Sequence, residues 1–434
     1  MKILLVHNFY QSSSPSGEDV VFKNEVELLR RNGVEVITYT EHNDRIKDYG
    51  LRGRLILPFK NIWSAETYKE LKRLIKKEKP DIAHFHNIWY LISPSTYYAC
   101  KDEGVPVFQT LHNFRIFCAN GLLMRDGRIC EECITKIETG NRLEVIGDRL
   151  KIVKNALRYG CYRNSLLYSI PVALMEYLHW VKQTWVDKID AYIALTNFGR
   201  NKFIEAGLPA NKIFIKPNFL LNPPEPNYYH KNYAVFIGRL SQEKGINVLI
   251  DSLKHLNTYG LSHKTSDLFK IKIIGDGPLK EYLENHISAS NIKNIELTGR
   301  KSFDECMGLL RDARFLVMPA ICYEGFPMVI REAFACGKPV IASNLGAMAE
   351  LVEEGKTGLL FEPGNPKGLA EKIKWMIKYP DKCIEMGKNA RAEFEAKYTA
   401  ERNFEILMKI YEKVILILNR SEVLSYRLIG VKVF

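Results

Sequence analysis

Two glutamates frame the stretch EGFPMVIRE: Glu324 and Glu332 stand eight positions apart, with Gly325, Phe326 and Pro327 directly after the first. Pro327 suits the first turn of a helix, so a helix is expected to start there and to carry Glu332 within its first two turns. Ala333, Phe334 and Ala335 would then face the core, and Gly337 would end the helix. Carboxylates near a helix start are favoured by its dipole. Paired acceptors of this kind read hydroxyls, and a sugar ring or a ribose is rich in them. A plainer reading stands beside it, with Glu332 as a capping acid and Glu324 in solvent.

Positive charge stands in GRLSQEKG (238–245), where Arg239 and Lys244 flank a short loop that opens a helix. A diphosphate calls for such a set. Arg supplies a planar fork, Lys a point charge and the helix start free N–H groups. Two exposed basic residues in an ordinary loop would be spelled the same way. GDGP (275–278) has a Gly-x-Gly, but Lys280 occupies the place of a third glycine. A tight turn beside a ligand is expected there, not a nicotinamide site.

His112 closes TLH (110–112) at a strand's carboxyl end, where sheets of this kind bind ligands. It serves either a ligand or, as a partly buried histidine, the fold. His84 and His86 alternate in DIAHFHN and share a strand face, with no third metal ligand suggested by spacing. Structural or pocket-lining roles are expected for them. Cys118, Cys130, Cys133 and Cys161 offer a Cys-x-x-Cys and two further thiols. Four thiolates would close a tetrahedron around a structural zinc. The alternative is four unlinked thiols.

Strands and helices that alternate along the chain must hold these residues. KILLVH (2–7), VEVITYT (34–40), DIAHFH (81–86), VPVFQTLH (105–112), AYIALT (191–196) and KIFIKPN (212–218) read as strands. The proline-rich NFLLNPPEPNYYHKNY (218–233) reads as a linker, and the pattern then restarts. YAVFIG (233–238), FKIKIIG (269–275), NIELTG (294–299), RFLVMPA (314–320) and KPVIAS (338–343) follow as strands. The fold class expected is α/β, with two Rossmann-like domains facing a cleft. The first would span 1–217, with an insertion over 113–186, and the linker 218–232. The second would span 233–400, and a helix and tail over 401–434 would cross back.

The 434 residues, 46% of them hydrophobic, suffice for two such cores. A net charge of +12 suits nucleic acid, anionic lipid or a phosphorylated ligand. No nucleic-acid module is recognisable, so a nucleic-acid partner is not expected. MKILLVHNFY is too short for a signal peptide, and no window reaches the ~18 apolar residues of a span. With nine cysteines, an odd number in a large chain, a cytoplasmic protein is expected, with no secreted disulfide framework. The segment 157–186 mixes Lys and Arg with Leu, Tyr and Trp. It reads either as a helix pair on the sheet or as a peripheral contact with anionic lipid, to which the tail 425–434 would add.

Glu324, seven residues, Glu332 and then AFACGKPVIAS resemble the signature of the retaining family 4 glycosyltransferases, which have the two-Rossmann GT-B fold. GRLSQEKG, GDGP and GAMAELVEEGKTGLLFEPGNP (346–366) extend the resemblance over nearly the whole chain, in family order. It implies that Arg239 and Lys244 hold the donor diphosphate, Glu332 the ribose hydroxyls and Glu324 the donor sugar. It also implies that His112 lies beside that sugar, and it adds Gly17, Gly238, Gly275, Gly325 and Phe326 to the donor-binding set. Where close relatives carry two adjacent glycines, this chain has Ser16-Gly17. The cysteine insertion resembles a subgroup linked to surface-polysaccharide synthesis. The implied activity is transfer of a sugar from a UDP- or GDP-sugar to a saccharide or lipid-linked acceptor, with retention and without a catalytic metal. An alternative of another class is a nucleotide-sugar-binding assembly partner that performs no transfer.

Overall fold

The computed structural model describes residues 1–13, 16–134, 142–257, 269–289 and 292–428, with the side chains of 51–55, 142–146 and 421–428 left aside. The chain divides into two units. Unit 1 is Met1–Gly121, Glu132–Pro217 and Ala400–Phe434, and unit 2 is Leu122–Glu131 and Asn218–Thr399.

Unit 1 is built on β1 (Lys2–Phe9), β2 (Glu35–His42), β3 (Ile82–Asn87) and β4 (Val107–Leu111). Past a short antiparallel hairpin of unit 2, β5 (Met124–Arg125) and β6 (Arg128–Ile129), it is completed by β7 (Ala191–Ala194) and β8 (Ile213–Ile215). The sheet runs β2-β1-β3-β4-β7-β8 and every pairing in it is parallel. Ile3, Leu4, Leu5 and Val6 are all sealed from solvent, the unbroken apolar run of a strand covered on both faces. The helix Gly17–Arg31 packs on this sheet through Phe22, Val26 and Leu29. The long helix Ala400–Leu428 adds Leu407, Ile410, Tyr411 and Val414 to the same core.

Unit 2 holds β9 (Tyr233–Ile237), β10 (Lys270–Ile274), β11 (Ile295–Gly299), β12 (Leu316–Met318), β13 (Val340–Ser343) and β14 (Gly358–Phe361). Its order is β11-β10-β9-β12-β13-β14, again wholly parallel. The chain order reverses between β1 and β3 in the first sheet and between β9 and β12 in the second. Doubly wound sheets bind ligands at such switch points, beyond the carboxyl ends of the strands.

Two elements differ from the sequence-based expectation. The hairpin β5–β6 lies in the span read as an insertion of the first half, yet its contacts group it with unit 2. Strand β14 went unassigned, because GLLF is a short apolar run that periodicity alone does not type as strand or helix.

Candidate functional site

The loop after β9 carries Gly238, Arg239 and Lys244, and the loop after β12 carries Glu324, Gly325 and Phe326. Gly245 lets the two meet. Its φ is +68°, and a Cβ there would lie 1.8 Å from the carbonyl oxygen of Pro319. Only glycine fits so close to a backbone oxygen in a left-handed conformation. The Ile321 N–H donates to the Glu243 carbonyl at 3.0 Å and fastens the loops together. The outcome is an ion pair across the switch point, with Lys244 Nζ 2.6 Å from Glu324 Oε1. Burial alone would lower the Lys244 ammonium, but Glu324 outweighs it and the pKa is raised. Arg239 remains exposed.

The loop after β10 comes equally close. Gly275 has φ +149°, and a Cβ there would meet the Gly238 carbonyl oxygen at 1.9 Å. The glycines of GDGP thus serve a backbone-on-backbone approach to the loop that holds Arg239, and the turn itself falls one step later, at Pro278–Leu279, closed by the Lys280 N–H on the Gly277 carbonyl at 3.1 Å.

Glu332 lies on the helix Met328–Ala335, whose N-cap is Pro327 and whose C-cap is Cys336, with Gly337 next at φ +69°. Ala333, Phe334 and Ala335 are sealed in the core. Glu332 has a partner that sequence reasoning missed. Arg331 is buried to 1% exposure, donates from Nη2 to Glu332 Oε1 at 3.2 Å and from Nη1 to the Phe219 carbonyl. Burial pushes the Glu332 carboxyl up, and Arg331 opposes that rise. Adjacency to Glu332 was the only signal for Arg331 in the sequence.

In unit 1, Gly17 begins its helix exposed, and Ser16 is the N-cap at φ −100° with a full capping box to Asp19. That extended conformation suits serine, so the missing second glycine costs the backbone nothing here. Glu18, on the first turn, accepts from Asn113 Nδ2 at 2.8 Å, and burial pushes its carboxyl up to about 7. His112 stands just past β4. Its Nε2 lies 3.1 Å from His86 Nδ1, and burial together with His86 and His7 holds its pKa well below the usual imidazole range. The imidazole of His112 is therefore neutral at pH 7.

Cys100, Cys130, Cys133, Cys306, Cys322, Cys336 and Cys383 are free thiols. Cys118, Cys133 and Cys161 belong to unit 1, and Cys130 to unit 2. Asn155 joins two of the three, donating from Nδ2 to Cys133 Sγ at 3.7 Å and accepting at its carbonyl from Cys161 Sγ at 3.6 Å. Burial pushes the Cys133 thiol up, with Cys118, Glu176 and Cys161 near enough to add to the rise. Glu176 is fully buried with neither carboxylate oxygen hydrogen-bonded. Among the described residues, one group of possible metal ligands has its donor atoms within 4.8 Å of one another, namely Glu25, His84 and His86.

The helices Leu51–Ile62 and Leu166–Val181 of unit 1 pack on each other. Around their ends Phe59, Trp63, Leu166, Leu167 and Tyr168 are exposed. Among the described residues no helix is long and apolar enough to cross a membrane. Of the tail 425–434, residues 429–434 lie outside the described residues.

The family described as Glycosyltransferase Family 4 matches residues 15–137, and Glycosyl transferases group 1 matches residues 222–393. A glycosyltransferase of Methanocaldococcus jannaschii, itself uncharacterised, is 30% identical over 360 residues, 82% of this chain and 90% of that one. The capsular polysaccharide biosynthesis glycosyltransferase CapM of Staphylococcus aureus is 24% identical over 407 residues, 90% of this chain and 93% of that one. Among solved structures, Anabaena HepE in complex with UDP matches with a TM-score of 0.60 at 18% identity, over 95% of this chain and 99% of that one. The sucrose-phosphate synthase of Thermosynechococcus elongatus matches with a TM-score of 0.63 at 16% identity, over 96% and 100%. At such identities the two structures speak for the fold.

Proposed function

The chain belongs to the family 4-type glycosyltransferases of GT-B fold, and from that premise we propose that it moves a sugar, with retention, from a UDP- or GDP-sugar to a saccharide or lipid-linked saccharide acceptor. Its setting would be the synthesis of a cell-surface polysaccharide, as the printed role of the CapM relative suggests. The observation that carries the reading is the Lys244–Glu324 pair at the switch point of the second sheet. The pair is partly exposed and holds opposite charges that a ligand can divide. A donor diphosphate takes the Lys244 ammonium and the Arg239 fork, and the released Glu324 carboxylate accepts from hydroxyls of the sugar. Glu332, steadied by Arg331, accepts from the ribose hydroxyls.

Transfer then runs on one face of the sugar. The bond from the anomeric carbon to the diphosphate oxygen breaks, and the acceptor oxygen bonds to that carbon from the same side. The acceptor's proton passes to the departing diphosphate. No side chain acts as nucleophile and no metal takes part in this reading. The main catalytic contribution is charge stabilisation of the leaving group by Arg239 and Lys244. From unit 1, Gly17 serves the diphosphate side and His112 the sugar. Calorimetric titration with UDP, GDP, ADP and dTDP tests the donor half. Micromolar binding of one nucleotide, weakened about tenfold in Glu332→Ala, supports it, and silence from all four removes it. Transfer by purified protein, with the product's anomeric configuration read by NMR, separates an enzyme from a binding partner.

The reading has two finer parts. A structural zinc on Cys118, Cys130, Cys133 and Cys161 is supported by the contacts of Cys133 and Cys161 with Asn155. Metal-free protein after chelator-free purification would end it. Peripheral contact with anionic lipid at the inner face of the cell membrane is supported by exposed Phe59, Leu166, Leu167 and Tyr168, with Arg163 over the Tyr168 ring at 6.0 Å. Sedimentation with anionic liposomes at low salt, abolished by Leu167→Glu, is the expected result.

A further inference from the structure

A line of buried polar side chains crosses unit 1 and ends on His112. It starts at Asn403 on the long C-terminal helix. Asn403 donates to the Pro217 carbonyl at 2.6 Å and accepts from Lys216 Nζ at 3.2 Å. Lys216 Nζ lies 2.8 Å from Glu25 Oε2. Glu25 Oε1 lies 3.0 Å from His86 Nε2, and His86 Nδ1 lies 3.1 Å from His112 Nε2. Lys216, Glu25 and His86 are all at least 97% buried.

The ligand-like group Glu25, His84 and His86 within this line is not a metal cage. The Lys216 ammonium already supplies the cation that Glu25 needs. Both nitrogens of His84 are engaged, Nδ1 by Tyr411 Oη at 2.6 Å and Glu25 Oε1 at 3.1 Å, and Nε2 by Thr110 Oγ1 at 2.7 Å. A second cation would be driven into the same buried space as the first.

We propose that Glu25 and His86 are positioning residues for the transfer: together they fix His112 as the Nε2–H tautomer and present its Nδ1 as a hydrogen-bond acceptor to the bound sugar. The proposal rests on the reading of His112 given above. An ionised carboxylate only accepts, so Glu25 takes a proton-bearing nitrogen, His86 Nε2–H. Burial would raise the Glu25 carboxyl, but Lys216, His86 and His84 around it hold it ionised. A neutral imidazole carries one N–H, and burial pushes His86 down to about 4, so it is neutral at pH 7. His86 Nδ1 is then an acceptor, and His112 Nε2 must be the donor to it. His112 Nδ1 is left with its lone pair, and no partner engages that nitrogen among the described residues.

The test is nitrogen-15 NMR on protein labelled at its ten histidines, with the His112 signals assigned through His112→Gln. Wild type is expected to carry the His112 proton on Nε2. In Glu25→Gln a carboxamide N–H faces His86 Nε2, which reverses His86 and moves the His112 proton to Nδ1. The turnover number should fall on the order of tenfold to hundredfold, as when an outer partner of a binding group is lost, with nucleotide affinity unchanged. Should Glu25→Gln fail to fold, the His86 variants decide. His86→Gln can still accept from His112 and donate to Glu25, so it keeps the tautomer and most of the turnover, and His86→Leu loses both. A His112 proton on Nδ1 in wild type, or equal turnover in His86→Gln and His86→Leu, overturns the proposal. Full transfer by His112→Ala would instead remove the underlying reading of His112 and leave the tautomer result standing.

Discussion

In unit 1 the Lys216 ammonium lies 2.8 Å from Glu25 with side chains 1% and 0% exposed, and in unit 2 the Lys244 ammonium lies 2.6 Å from Glu324 with side chains 28% and 14% exposed. The ions and distances are nearly the same, and the solvent is different. A buried pair with its remaining sites filled by His84, His86 and Asn403 has nowhere to send either charge. Removing one partner strands the other in a low dielectric. A pair at the rim of a switch point can trade its partner for a ligand at little cost. One charge pair is sealed in the core, and the other stands partly exposed to solvent.

The largest expected effect breaks the buried side. Lys216→Met should lose about 3–5 kcal/mol of folding stability, the cost of orphaning a buried ion, measured by urea unfolding. A variant as stable as wild type would erase the contrast. Lys244→Ala should do the reverse. Its transfer rate should fall about 10²–10³-fold, near 2.7–4 kcal/mol, while stability changes by less than about 1 kcal/mol. Equal losses of rate and stability would place both pairs in one class.

Acid sharpens the comparison, because unit 1 also buries neutral histidines. His179 is 1% exposed, with Nδ1 2.9 Å from Thr184 Oγ1 and Nε2 2.9 Å from the Ile62 carbonyl, and burial pushes it down to about 4. The unfolded chain takes up this proton near pH 6.5 and the folded chain does not. Stability is therefore lost as pH falls from about 6.5 to 4, by about 3 kcal/mol for this group. His179→Gln should flatten the slope of unfolding free energy against pH in that window, and an unchanged slope would refute it. Tryptophan fluorescence suits the measurement, since Trp63, Trp89, Trp180 and Trp185 lie in unit 1 and Trp375 alone in unit 2. The smallest effect concerns Glu332→Ala, which should weaken nucleotide binding about tenfold by calorimetry, the value of one hydrogen bond to a charged group.

Much of unit 2 was legible because its chemistry is local. Arg239 and Lys244 lie in one loop, and Glu324 and Glu332 in one strand-to-helix turn, so each motif spells its own geometry. The pairing of Lys244 with Glu324 across 80 residues was not legible, nor was the Gly245 packing that permits it. In unit 1 His112 was singled out for its place at a strand end, but its contact with His86, and the Glu25 and Lys216 behind that, were not legible. Nothing in the sequence singled out Glu25, and Lys216 was only one position of the strand run KIFIKPN.

Local pattern in the chain was enough for the alternation of strands and helices, the two parallel sheets, the helix start at Pro327 and the placing of Arg239, Lys244 and Glu324 in loops after strands. Apolar runs, capping residues and glycines act within a few residues of themselves, so their meaning survives in one dimension. Only the tertiary structure decided which ionic groups lose their water. Lys216 meets Glu25 across 191 residues and Tyr411 meets His84 across 327, and no local pattern encodes either distance. Desolvation is set by everything packed around a group, and it makes one lysine–glutamate pair part of the core and leaves the other open to a ligand.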